Sequence, residues 1–174
     1  MTELEHKRKS RRKQTAEDFT PEFLINEMLD KLPQEVWSDP SKTFLDNSAG
    51  NGNFLVAILQ RKLDAGHSPL QALSTIYGVE LMPDNVEEMK DRLLIELPSL
   101  TPEESKQARK IINHNIVCHD ALTWDYENWK SNIQKKQNLF FNRFLIKLFY
   151  FSLYYSKLTN SEFYDEIRRK AHHF

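Results

Sequence analysis

The stretch Phe44-Leu45-Asp46-Asn47-Ser48-Ala49-Gly50-Asn51-Gly52-Asn53-Phe54-Leu55 decides how this chain is read. It opens on the end of a short apolar run, Thr43-Phe44-Leu45, which has the character of a buried strand. The segment Asp46 to Gly52 is too rich in small residues to be helical. Phe54, Leu55, Ile58, Leu59 and Leu63 then recur at helical spacing until Gly66-His67-Ser68-Pro69 breaks the run. Strand, glycine turn and helix in that order open a βαβ unit.

Working outward, the same alternation repeats. Upstream, Thr20-Pro21 has the form of a helix start, with Thr20 as cap and Pro21 in the first turn, followed by Leu24, Ile25, Met28, Leu29 and Leu32 and ended by Pro33. Downstream, Leu70 to Leu73 forms a helical turn, and Ser74 to Val79 is a second strand ending on Glu80. Pro83-Asp84 starts a helix with Val86, Met89, Leu93 and Leu94 on its apolar side, and Pro98 ends it. Pro102 to Lys110 is a polar helix, and Asn115 to His119 is a third strand ending on Asp120. Strands alternating with helices predict an α/β fold: a Rossmann-like, doubly wound, mostly parallel sheet with helices on both faces, and the strand containing Phe44 central. The expected organisation is a basic flexible tail over 1–18, the α/β domain over 19–130 and an aromatic tail over 131–174. No internal repeat is present.

With 174 residues, 40% hydrophobic and 28% charged, the chain has the composition of one globular domain. A formal net charge of -1 gives no overall field toward nucleic acid or membrane. The charge is unevenly placed, since Lys7, Arg8, Lys9, Arg11, Arg12 and Lys13 crowd one short run. That run is either a solvated tail or a set of phosphate contacts for DNA. The single cysteine, Cys118, excludes an internal disulfide and fits a reducing cytoplasm. The polar start predicts no secretory signal, and Leu139 to Tyr155, carrying Asn142, Arg143 and Lys147, is too short and polar for a membrane span. The histidines have no cysteine at metal-ligand spacing, so no structural zinc or other metal is expected. Cys118 is expected as a buried core thiol, His114 and His119 as polar strand-edge residues, and Trp124 and Trp129 as packing residues.

The chemistry gathers at the strand ends, because ligands of open parallel sheets bind outside the carboxyl ends of the strands. Gly50 and Gly52 permit a tight turn and a close backbone approach. A carboxylate at Glu80 suits two ribose hydroxyls, and one at Asp120 suits an exocyclic adenine amine. The Gly-x-Gly loop lacks the third glycine of the dinucleotide fingerprint, and Asp46 beside it repels phosphate while suiting an amine and a sulfonium. These residues favour S-adenosylmethionine over NAD; a nonbinding structural turn is the remaining reading.

Phe19-Thr20-Pro21, the Gly-loop stretch quoted above, Tyr77-Gly78-Val79-Glu80-Leu81 and Asp120-Ala121-Leu122 resemble, in identity and in order, the amino-methylating DNA adenine methyltransferases of restriction–modification systems and phages. The resemblance covers roughly residues 17 to 125. It implies that Thr20 helps cover the methionine end of S-adenosylmethionine. Asp46 would meet the amino-acid end, Glu80 the ribose and Asp120 the adenine, with Ser48, Gly50 and Gly52 of the loop also in the cofactor site. Asn47 stands where the family usually has proline. The family's catalytic Asn/Asp/Ser-Pro-Pro-Tyr/Phe loop, which holds a flipped base, is not found: no Pro-Pro occurs, and no proline follows Pro102. The expectation is therefore an inactive or partial methyltransferase. The alternatives are a noncatalytic module binding S-adenosylmethionine or DNA, a protein completed by a partner chain, and the product of an interrupted gene.

Overall fold

The computed structural model describes residues 19–129. The expectations for 1–18 and for 131–174, including the basic run and the Leu139 to Tyr155 stretch, fall outside them. The described chain runs α1 (Glu22–Leu29), α2 (Glu35–Ser38), β1 (Phe44–Asp46), α3 (Asn53–Asp64), α4 (Pro69–Ser74), β2 (Ile76–Glu80), α5 (Pro83–Ile95), α6 (Pro102–Asn115) and β3 (Ile116–Cys118). The three strands form one parallel sheet in the order β1-β2-β3. The fold is α/β, as the alternation of periods requires.

Strand β2 lies in the middle of the described sheet, not the strand containing Phe44. Both crossovers step the same way along the sheet. Crossovers of one hand stepping the same way place their helices on the same face. Phe44, Ile76 and Ile116 accordingly point into one large core together with Ile25 and Leu29 of α1, Leu55 and Leu59 of α3, Met89 and Leu93 of α5, and Ile111 and Ile112 of α6. The alternate strand residues Leu45, Tyr77, Val79 and Val117 face the other way. There they meet Trp124, Tyr126 and Trp129 of the segment following β3, not a helix. Trp129 sets its ring edge-on to Tyr77 at 5.1 Å and to Trp124 at 5.3 Å, and its indole N–H donates to the His114 carbonyl at 2.9 Å. The tryptophans pack, as expected.

Several boundaries differ from expectation for identifiable reasons. Pro21, not Thr20, caps α1: its carbonyl receives the Leu24 and Ile25 amides at 3.1 Å, while the Thr20 carbonyl is taken by another element. Helix α6 continues past Lys110 to Asn115, because Ile111 and Ile112 complete its buried face. Its start is fixed by a reciprocal capping box between Thr101 and Glu104, with Pro102 in the first turn. Cys118 is exposed, which corrects the core-thiol reading. It is the last residue of β3, and its Sγ meets the Leu81 carbonyl at 3.6 Å.

Lys62 is fully buried in α3. Its ammonium donates to the Lys42 carbonyl at 2.9 Å and lies 5.3 Å from the centre of the Phe44 ring. Arg61 ties α3 to α1 through the Asn26 carbonyl at 3.2 Å and Asp30 at 2.6 Å. That link fixes α1, and with it the Phe19-Thr20 segment, beside the glycine loop. No helix among the described residues is long and apolar enough to cross a membrane.

Candidate functional site

Sheet geometry brings the acids together. Asp46 is in register with Gly78, and Glu80 lies two residues further on β2, so both side chains leave the same face of the sheet. Asp46 and Glu80 are close enough for their charges to interact. Burial pushes the Asp46 carboxyl up to about 6; the Glu80 carboxylate adds to the rise, and the Ser48 amide opposes it. That amide donates to Asp46 Oδ1 at 3.1 Å, turning the chain into the loop.

Glu80 is anchored through both oxygens. Oε2 accepts the Gly50 amide at 2.8 Å, and Oε1 accepts the Met82 amide at 2.8 Å. The strand-end acid therefore holds the glycine loop of the neighbouring strand. The His119 amide donates to the Glu80 carbonyl at 2.9 Å, which extends the β2–β3 ladder beyond Cys118. Asp120 follows directly, exposed, with Oδ1 accepting the Leu122 amide at 2.8 Å. The structure thus joins Asp46, Ser48, Gly50 and Glu80 in one hydrogen-bonded and electrostatic unit, with Asp120 one strand away on its own turn.

The loop conformation explains its glycines. Gly50 has φ +53 and Gly52 φ +84, a region costly for any residue with a Cβ. A Cβ on Gly52 would stand 2.5 Å from Met89 Cγ of α5, and one on Gly50 would stand 3.1 Å from the Phe19 ring. The Phe-Thr-Pro segment therefore lies directly against the glycine loop. Its position is fixed by Asn53, whose Nδ2 donates to the Thr20 carbonyl at 3.1 Å. Thr20 joins the site through its backbone carbonyl.

Other contributors are given no role by the sequence reading. Gly78 passes under the loop helix: a Cβ there would meet Leu55 Cδ1 at 2.8 Å. Arg92 and Glu88 of α5 bond the loop from below. Leu81 and Leu122 are 60% and 63% exposed beside the two acids, so each offers an apolar surface next to a carboxylate. Tyr126 donates to the Ala121 carbonyl at 3.0 Å. Its phenol is pushed up to about 12 by burial and by the Asp120 charge, against a hydrogen bond with Asn47. Tyr126 thereby links the loops after β1 and β3.

Fold and site define an α/β protein with two neighbouring acids and a glycine loop at the carboxyl end of a parallel sheet. Comparison with family models, with curated proteins and with solved structures finds no match to this chain.

Proposed function

We propose that residues 19–129 form an S-adenosylmethionine-binding domain of the DNA adenine methyltransferase type. The observation that carries this reading is the Glu80 carboxylate on the Gly50 amide at 2.8 Å. In dinucleotide-binding loops such amides are left to meet a pyrophosphate. Here a carboxylate is already in that position with a second acid, Asp46, beside it. Two acids repel phosphate and suit a ligand that carries an ammonium, a sulfonium and a vicinal diol.

The donor set fits that cofactor. Asp46 and the Ser48–Gly52 loop would take the ammonium end. Each Glu80 oxygen spends one lone pair on an amide and keeps another for a ribose hydroxyl. Asp120 would accept from the adenine amine, with Leu81 and Leu122 offering apolar surface to the base. Thr20, held against the loop, would cover the methionine end. When bound, the cofactor supplies an electrophilic methyl group; the residues named bind it, orient it and exclude water. A parallel sheet whose described strands advance in one direction is compatible with one half of a doubly wound arrangement, whose ligand crevice forms where the strand order reverses. DNA is the proposed partner, through the basic run Lys7 to Lys13, with the cytoplasm as the compartment.

Isothermal titration tests the reading. S-adenosylmethionine should bind the wild type, and Asp46→Ala and Glu80→Ala should each weaken binding; absence of heat and of a thermal shift overturns it. The sequence of this chain contains no Pro-Pro, so the acceptor pair with which the family holds a flipped adenine is not found in it. That absence favours, as the second reading, a noncatalytic cofactor- or DNA-binding module, or one completed by a partner chain. Methyl incorporation into mixed-sequence duplex DNA from labelled cofactor, above a Gly50→Trp control, would exclude the second reading.

A further inference from the structure

We propose that Arg92 is the positioning residue of this crevice, holding the glycine loop and, through Asn53, the Phe19-Thr20 segment in the one arrangement that binds the cofactor. The ligand named here rests on the function proposed above; the clamp itself stands on the geometry.

Arg92 belongs to α5 and bonds the glycine loop from that helix. One nitrogen, Nη1, carries two hydrogens and uses both: the Asn51 carbonyl accepts at 2.8 Å, and Asn53 Oδ1 accepts at 2.6 Å. These acceptors flank Gly52, the residue with φ +84. The guanidinium therefore fixes the backbone on both sides of the loop's most permissive residue, where conformational freedom is otherwise greatest. Charge-assisted bonds of this kind are about twice as strong as neutral ones.

The contact is relayed onward. With its oxygen committed to Arg92, the Asn53 amide must present Nδ2 to the Thr20 carbonyl, at 3.1 Å. Turning the amide over would set donor against donor and acceptor against acceptor. The relay Arg92–Asn53–Thr20 brings the Phe19 ring to where a Gly50 Cβ would be 3.1 Å away. Glu88, one turn earlier on α5, accepts from Asn51 Nδ2 at 3.1 Å and adds a second hold on the same loop. Among the described residues, Arg92 bonds Asn51 and Asn53 and makes no ion pair with Asp46, Glu80 or Asp120. Its effect on the cofactor is exerted through the loop.

The test uses the full chain with Arg92→Met, which keeps the aliphatic stem, together with Asn53→Ala and the double variant. In the ligand-free protein, amide hydrogen exchange over residues 48–54 should accelerate about tenfold in each single variant, as expected for loss of a hydrogen bond to a charged group. Exchange over α6, Pro102–Asn115, should stay unchanged. Affinity for S-adenosylhomocysteine should fall about tenfold in each single variant. In the double variant it should fall no further than in the weaker single one, because both cut the same relay. Arg92→Lys should recover part of the loss. Unchanged loop exchange, or losses that simply add in the double variant, would overturn the clamp. Accelerated loop exchange in a protein whose wild type takes up no adenosyl ligand would uphold the clamp and overturn the cofactor reading.

Discussion

The Gly50 amide donates to the Glu80 carboxylate at 2.8 Å, so the loop after β1 and the acid ending β2 are one mechanical unit. The other Glu80 oxygen receives the Met82 amide. Glu80→Gln keeps one acceptor and turns its amide NH2 toward the other N–H; Glu80→Ala leaves both N–H groups without their acceptor. Both donors are part-buried, so each one orphaned costs at most about 1–3 kcal/mol. The expected order of stability in urea is wild type, then Glu80→Gln, then Glu80→Ala, with cofactor binding lost in both variants. Equal midpoints for all three proteins would show that Glu80 does not support the loop.

Asp46 gives the site a pH dependence of definite sign. Its carboxyl is held up at about 6, mainly by burial. An acid whose pKa rises on folding holds its proton more tightly in the folded state, so its ionisation destabilises the fold. The penalty grows as pH climbs from about 3.8 to about 6 and is complete above that, at roughly 2–3 kcal/mol. Asp46→Asn should therefore raise the melting temperature by several degrees at pH 7.5, with the gain shrinking toward pH 4. The same variant should lose the cofactor. In the wild type, affinity for a cationic ligand should rise from pH 5 to pH 7, because the proton must leave first. A pH-independent stability difference would refute this assignment.

Two glycines with nearly the same φ separate conformational strain from packing. Gly52 has φ +84 with Met89 Cγ 2.5 Å from a would-be Cβ; Gly66 has φ +89 with nothing within 4 Å. Gly66→Ala should cost roughly 1–2 kcal/mol, the left-handed backbone penalty. Gly52→Ala should cost that and about 1–3 kcal/mol more for overpacking. Combining Gly52→Ala with Met89→Ala should remove the overpacking from the Gly52 change, so that its cost on the Met89→Ala background falls to that of Gly66→Ala. Equal costs for the two single substitutions would show that α5 yields freely.

Lys62 makes the opposite end of the sheet sensitive to base. Burial holds its ammonium down at about 8, partly offset by Asp39. A lysine whose pKa falls on folding releases its proton more readily when folded, so its charge is a burden below about pH 8. That burden is relieved as pH rises toward 10.5. The wild type should gain stability relative to Lys62→Met between pH 7.5 and 9.5, read as a shift of the melting-temperature difference in favour of the wild type. Parallel curves would mean that the ammonium finds more compensation than the Lys42 carbonyl and the Phe44 ring provide.

Sequence alone determined the order of elements apart from the short helix α2, the three strands, the turn at Asp46–Gly52 and the placing of Asp46, Glu80 and Asp120 at or just beyond strand ends. These features are local. Periodicity, proline starts and small-residue turns act over a few residues, and each remains visible in the chain. Tertiary structure alone decided that β2 is central in the described sheet, that Glu80 holds Gly50, that Lys62 is buried and Cys118 exposed, and that Arg92 clamps the loop. Those facts depend on partners 20 to 41 residues apart in the chain, as with Lys62–Lys42 and Arg92–Asn51. In sequence, Lys62 and Arg92 are ordinary cations on amphipathic helices. Whether such a head meets water or a carbonyl is settled only when the helices pack, because burial and acceptor geometry are properties of the assembled core and leave no periodic trace.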